Sequence, residues 1–273
     1  MSAQKQVVVS GPFDDIRTRQ LRFLQEASNL GILTVFVWPD ELIRSQTRNA
    51  PKFSLAERLY FLNAVRYVRR VAPLNISDSP HVLPREADAP AIWIEEETDY
   101  RPERQRFCQQ RGIDYRVLPL SQMMGFPEPP PIPTAAGRKK VIATGCYDWF
   151  HSGHVRFTEE ASAYGDLYLV VGHDANIRLL KGPGHPLLSQ EERRYAVGSI
   201  KFVKQALIST GNGWLDAEPE IERIRPHAYI VNEDGDKGGK REYCERHGIE
   251  YIVLKRAPAP GLPPRRSTDL RGF

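Results

Sequence analysis

The sequence predicts an α/β protein made of two tandem copies of one unit, each a parallel sheet flanked by helices. The first observation behind this is an internal repeat. Gly11-Pro-Phe-Asp14, Arg22-Phe23 and Glu26-Ala27 return as Gly145-Cys-Tyr-Asp148, Arg156-Phe157 and Glu160-Ala161 at a constant offset of 134. Ser54, Glu57, Arg58 and Tyr60 return as Ser189, Glu192, Arg193 and Tyr195 at 135, and Cys108-Gln-Gln-Arg-Gly-Ile-Asp-Tyr115 returns as Cys244-Glu-Arg-His-Gly-Ile-Glu-Tyr251 at 136. Self-similarity of this kind decides an architecture before any single element does, and a drift of two residues is what small loop insertions produce. The second observation is that short β-rich runs alternate with amphipathic segments in each half, the pattern of βαβ units. The third is length: 273 residues exceed one ordinary core and suit two domains of roughly 130 residues.

Taken in order, the first half offers VVVS, LTVFVW, AIWIE and YRVL as strands. The proline-rich stretch Phe126 to Gly137 then interrupts, because proline neither continues a helix nor sits in a central strand. The boundary is placed near Pro133, giving domains 1–132 and 133–273. The second half reads VIAT, a helix from His154 to Tyr164, LYLVVG, a helix from Ser189 to Lys204, and ALIS. Pro219–Ile224, AYIVN, Lys240–His247 and YIVL complete it. Strands so apolar belong to a sheet covered on both faces. Such sheets bind ligands at the carboxyl ends of their strands, which is where His151 falls.

Composition excludes several classes. Apolar residues make up 41% and charged residues 26%, as in soluble globular proteins, and no run approaches the roughly 18 apolar residues of a membrane span. The N-terminal MSAQKQVVVSGPF has too short an apolar run for a signal peptide, so a cytoplasmic location is expected. A formal charge of +4, scattered rather than clustered, fits small anionic ligands better than nucleic acid. Cys108, Cys146 and Cys244 are too few for a disulfide framework, and Cys244–His247 lacks a second pair, so no metal site is expected.

The stretch Val141 to Tyr164 carries the strongest chemical signal. It passes from a strand through Gly145-Cys-Tyr-Asp148 to His151-Ser-Gly-His154 at the start of a helix. A helix N-terminus presents unpaired N–H groups and positive potential, so two imidazoles there suit a phosphate better than a metal. Three further features point to the same ligand: Lys181 after a strand and a short helical segment, Glu192-Arg193, and the terminal Arg265-Arg-Ser-Thr-Asp-Leu-Arg271. Ser267 and Thr268 can cap a last turn that, with Arg266 and Arg271, would hold an oligophosphate. Plainer alternatives stay open: Arg193 paired with a neighbouring glutamate on an exposed helix, and the serine and threonine as an ordinary cap.

This combination resembles the HxGH nucleotidyltransferase superfamily, most closely its cytidylyltransferase branch, over Lys140 to Arg271. The resemblance implies two Rossmann-like nucleotidyltransferase domains and transfer of a nucleotidyl group, CMP from CTP by preference, to a small phosphomonoester with loss of pyrophosphate. It implies that His151, His154 and Lys181 are catalytic, and that Gly145, Tyr147, Asp148, Arg193, Arg266, Ser267, Thr268 and Arg271 bind the nucleotide, with Mg2+ accompanying the triphosphate. The family carries acidic residues near its base and acceptor pockets, which points to Asp234 and Asp236 in Asn232-Glu-Asp-Gly-Asp236; an Asp-Gly turn is the alternative. Trp214 matches in position a tryptophan of choline-phosphate cytidylyltransferases, and an aromatic face can hold a quaternary amine. The terminal motif is shorter than the family's by one hydroxyl residue.

In the first half Arg17 stands at the position of His151, Gln20 at that of His154 and Thr47 at that of Lys181. The first half is therefore expected to be a degenerate copy whose Arg17, Arg19 and Arg44 still attract an anion. Ethanolamine-phosphate cytidylyltransferases pair two such domains in one chain, which implies an intramolecular pseudo-dimer here, or self-association into a homo-oligomer. Adenylyl transfer from ATP remains the alternative within the enzyme class, and a silent nucleotide-binding regulatory protein the alternative outside it.

Overall fold

The structure is a computed structural model, and it describes residues 5–75, 79–84, 92–134, 137–267 and 270. The chain divides into two compact units, Met1–Gly125 and Phe126–Phe273. The division falls ahead of the expected limit at Pro133 because the proline-rich stretch packs within the second unit. Ile132 N–H donates to the Lys204 carbonyl at 3.0 Å, Glu128 pairs with Arg194 at 3.0 Å, and Pro129 fills the space above Gly198.

Unit 1 runs β1 (Gln6–Gly11), α1 (Thr18–Ser28), β2 (Ile32–Val37), α2 (Asp40–Thr47), α3 (Leu55–Ala64), β3 (Arg70–Pro73), β4 (Ile92–Glu96), α4 (Pro102–Arg111) and β5 (Asp114–Leu118). Its sheet is parallel in the order β3-β2-β1-β4-β5. Unit 2 runs β6 (Lys140–Gly145), α5 (Ser152–Ser162), β7 (Asp166–Val171), α6 (Asp174–Lys181), α7 (Gln190–Gly198) and β8 (Val203–Ile208). It continues with α8 (Glu218–Ile224), β9 (Ala228–Asn232), α9 (Lys240–Arg246) and β10 (Glu250–Leu254). Its sheet is also parallel, in the order β8-β7-β6-β9-β10.

Helices cover both faces of each sheet, so the central strands are apolar at consecutive positions: Val7, Val8 and Val9 in β1, and Val141, Ile142 and Ala143 in β6, are all buried. The repeated Ser/Glu pair is explained by capping. Ser54 accepts from the Glu57 N–H at the start of α3, and Ser189 accepts from the Glu192 N–H at the start of α7. Strand register repeats as well: Val7 lies opposite Ile92, and Val141 opposite Ala228, at offsets of 134 and 136.

Two elements differ from expectation. The helix read as Ser189–Lys204 ends at Gly198, and Val203 and Lys204 open β8, because Val203 is wholly buried against the sheet's neighbours. Strand β3 was not foreseen; its four residues are half-exposed at the sheet edge and end in Pro73, where proline is tolerated and alternation is lost. No described helix is long and apolar enough to cross a membrane.

Candidate active site

Strand β6 delivers the chain to the carboxyl edge of the unit 2 sheet, where it leaves by a tight turn. Tyr147 takes a left-handed φ of 55°, and its ring folds back over Gly145, where a Cβ would sit 2.7 Å from the ring. A side chain at 145 would displace the tyrosine, so the glycine is required. Asp148, next in line, is buried and accepts the N–H groups of Leu187 and Leu188 at 2.7 to 2.9 Å, pinning the loop that follows α6.

Helix α5 then opens with a reciprocal cap built from two imidazoles. His151 Nδ1 accepts the Gly153 N–H at 3.1 Å, and His154 Nδ1 accepts the His151 N–H at 3.4 Å. A ring nitrogen that accepts carries no proton, so each neutral ring holds its proton on Nε2. The rings lie 4.0 Å apart, and Phe150 stacks on His154 at 5.3 Å. Burial, then the neighbouring His151, Arg256 and Lys181, hold the His154 pKa well below its ordinary 6.5, so this ring is neutral at pH 7. Gly153 separates the histidines because a Cβ there would come within 2.9 Å of the His151 ring.

These groups border a cavity of about 570 Å³. Among the expected site residues, Gly145, Tyr147, Asp148, His151, His154, Lys181, Asp234, Arg266 and Ser267 line it. Lys181 ends α6 at the rim, and the Ser267 hydroxyl donates to the Trp149 carbonyl at 3.3 Å. Thr268 and Arg271 lie outside the described residues.

Three expected contacts are not brought to the cavity. Arg193 is 0% exposed and serves as a clamp: it donates to the Leu188 carbonyl at 3.0 Å, the Cys146 carbonyl at 2.7 Å and the Asp174 carboxylate at 2.6 Å. Asp236 faces away, holding Arg241 at 3.0 Å and the Tyr251 hydroxyl at 2.9 Å. Trp214 is 46% exposed outside the cavity, packed on Gly238 with the Lys237 ammonium 5.3 Å from its ring.

The cavity also gathers groups that sequence reasoning passed over: Thr144, Cys146, His185, Asn232, Lys240 and Arg256. Arg256 ion-pairs with Asp234 and donates to the Arg265 carbonyl at 3.2 Å, which ties the segment after β10 to the terminal one. Spacing carries no signal for Arg256, which is separated from Arg266 by a proline-rich run. For Lys240 the repeat held an unused one, since it aligns with Arg104.

Unit 1 has the same frame with different contents. Gln20 Oε1 accepts the Arg17 N–H at 3.0 Å, as His154 does for His151. Arg58 repeats the Arg193 clamp on Phe53, Pro12, Trp38 and Asp40, and Asp14 repeats Asp148 on Lys52 and Phe53. Each of the three arginines expected to attract an anion has a carboxylate partner among the described residues: Arg17 with Asp15 at 2.5 Å, Arg19 with Glu96 at 2.6 Å and, more loosely at the surface, Arg44 with Glu41 at 3.9 Å. The corresponding cavity, about 250 Å³, is bordered by Asp14, Asp15, Glu95, Glu96 and Asp99. Burial lifts Glu95 and Glu96 above the ordinary carboxylate range.

A parallel α/β domain with paired imidazoles, a helix N-terminus and several cations around one cavity is suited to binding phosphate. Comparison with known proteins identifies the class further. Residues 142–271 match the family model described as Cytidylyltransferase-like. FAD synthase of Ferroglobus placidus is 35% identical over 120 residues, covering 43% of this chain and 75% of that protein. The bifunctional protein HldE of Geobacter sulfurreducens is 35% identical over 126 residues, covering 44% of this chain and 25% of that protein. HldE of Azotobacter vinelandii is 33% identical over 159 residues, covering 56% and 32%. The chain thus spans only 25% to 32% of the length of these HldE relatives. It belongs to the cytidylyltransferase-like family of nucleotidyltransferases.

Proposed function

We propose that unit 2 moves a nucleotidyl group from a nucleoside triphosphate to a small phosphomonoester, with release of pyrophosphate. The observation that carries this reading is the pair of capped imidazoles at the N-terminus of α5, facing a cavity that also receives Lys181, Arg256 and Arg266. No general base is needed, since the acceptor is already an anion. The acceptor oxygen attacks the α-phosphorus in line as the bond to pyrophosphate breaks, so catalysis consists of positioning and charge stabilisation. His151 and His154 donate Nε2–H groups to the α-phosphoryl oxygens, and the neutral state of His154 lets it donate a hydrogen bond without acting as a general acid. Lys181 bridges donor and acceptor phosphates, and Arg266 and Ser267 hold the outer phosphates. Thr268 and Arg271 complete the same assignment from the sequence alone. Magnesium accompanying the triphosphate would supply charge neutralisation for the departing pyrophosphate.

ATP is the favoured donor, because the relative covered over 75% of its length is named for making FAD, whose second half is an adenylyl group. CTP is the alternative, supported by the family description. Unit 1 is read as a degenerate tandem copy of the same Rossmann-like domain. The support is its identical strand order and its repeated arginine clamp, without the imidazoles. A pyrophosphate-release screen of ATP and CTP against a panel of phosphomonoesters tests the reading. Acceptor-dependent release with one donor is the expected result. Triphosphate binding with no release against any acceptor would favour a regulatory nucleotide-binding protein instead.

A further inference from the structure

Helix α9 begins with Lys240, a residue only 8% exposed that borders the cavity together with Val231 and Gly235. Its ammonium donates one hydrogen bond, 3.3 Å to the Gly235 carbonyl, and lies 6.0 Å from the centre of the Tyr229 ring. Among the described residues no carboxylate forms an ion pair with it. Asp216 and Asp236 reach it only through their fields: Asp216 accepts the Ser209 hydroxyl, and Asp236 pairs with Arg241. A buried ammonium with one of three donors engaged is costly to keep, and an anion bound in the cavity would offset that cost.

The other unit shows what the same position looks like when the charge is matched internally. At an offset of 136 Lys240 corresponds to Arg104 on α4, and Val231 to Glu95 on β4; the strand pairing agrees, Glu95 lying opposite Val117 as Val231 lies opposite Val253. Arg104 is buried too, but Glu95 forms an ion pair with it and also accepts the Tyr115 hydroxyl. Unit 2 keeps the cation and has valine in place of its carboxylate. That difference leaves the buried cation of the histidine-bearing unit open to an anion from outside the chain.

The cavity indicates which ligand supplies it. A smaller adjoining space of about 110 Å³ shares Gly153, Phe157, Asn232, Arg256 and Arg266 with the main one, whereas Lys240 and Thr144 border the main cavity alone. The part common to both suits the extended nucleotide, and the part at Lys240 is left for the second substrate. We propose that Lys240 binds the anionic oxygen group of the acceptor, a specificity contact that rests on the nucleotidyl-transfer reading.

The test is calorimetric titration of the full chain with inorganic phosphate as the acceptor probe and ATP and CTP as nucleotide probes. Lys240→Met should weaken phosphate binding by about tenfold or more, the loss expected for one charge-assisted hydrogen bond. Triphosphate affinity should stay within about twofold, and Lys240→Arg should retain most of the phosphate affinity. Val231→Glu, which restores the counter-ion found in unit 1, should bind phosphate as poorly as Lys240→Met while unfolding at no lower urea concentration. Unchanged phosphate binding in both Lys240→Met and Val231→Glu overturns the proposal, as does an equal loss of triphosphate affinity, which would give Lys240 to the nucleotide. A wild-type chain that binds neither triphosphate removes the nucleotidyl-transfer reading. Lys240 as an anion contact is then still decided by phosphate binding in wild type against Lys240→Met.

Discussion

His154 illustrates how a side chain's protonation is set by its neighbours. Its Nδ1 is engaged by a backbone N–H, and burial with two nearby cations and His151 opposes a charge on the ring. His154→Ala should therefore leave the fold intact and lower turnover roughly a hundredfold or more, about 3 kcal/mol of lost stabilisation of the transferring group. Near-normal pyrophosphate release in that variant would remove the catalytic assignment. The pH dependence has a definite sign. The folded pKa lies well below 6.5, so in acid the unfolded chain binds the proton first. His154 then costs no stability above about pH 6.5 and lowers stability as the pH falls below it. Urea unfolding at stepped pH should show that slope flattened in His154→Asn. Gly153→Ala is a third check: its Cβ would press on the His151 ring, and a displaced donor should cost about tenfold to a hundredfold in turnover with little change in stability.

Among the elements, the clearest result is the separation of scaffold from site. Asp148 and Arg193 both sit within the stretch that matches the family model, yet both hold loops, and both are repeated by Asp14 and Arg58 in a unit without the paired histidines. Arg193 spans three elements, joining the β6 turn, the first residue of α6 and the approach to α7. Arg193→Met should thus destabilise the protein by about 3 kcal/mol or more, since it strips partners from buried carbonyls and a carboxylate. Arg58→Met should cost a similar amount. A variant at Arg193 with wild-type urea stability and lost triphosphate binding would return this residue to the nucleotide site. The proline-rich segment belongs at this scale too: composition marked it as a linker, but Phe126, Glu128, Pro129 and Ile132 find partners on α7 and β8.

At the scale of the whole molecule, the two cavities have opposite charge. Five carboxylates and one arginine, Arg104, border the one in unit 1, whereas Lys181, Lys240, Arg256 and Arg266 outnumber Asp148 and Asp234 around the one in unit 2. A polyphosphate is repelled by the first and drawn to the second, so the full chain should bind one nucleoside triphosphate, measured as calorimetric stoichiometry. Two sites per chain would contradict the charge argument.

The repeat, the parallel α/β class and the HSGH segment at a helix start were all legible in the chain, because each depends on local order. Periodicity reports which faces are buried, and a strand, glycine turn and paired histidines fix their own geometry over a dozen residues. The tertiary structure decided the rest, since charge pairing depends on residues far apart in sequence. It turned Arg193 inward, took Asp236 and Trp214 away from the cavity, gave Arg17, Arg19 and Arg44 carboxylate partners, and left Lys240 buried beside Val231, without the carboxylate that holds Arg104.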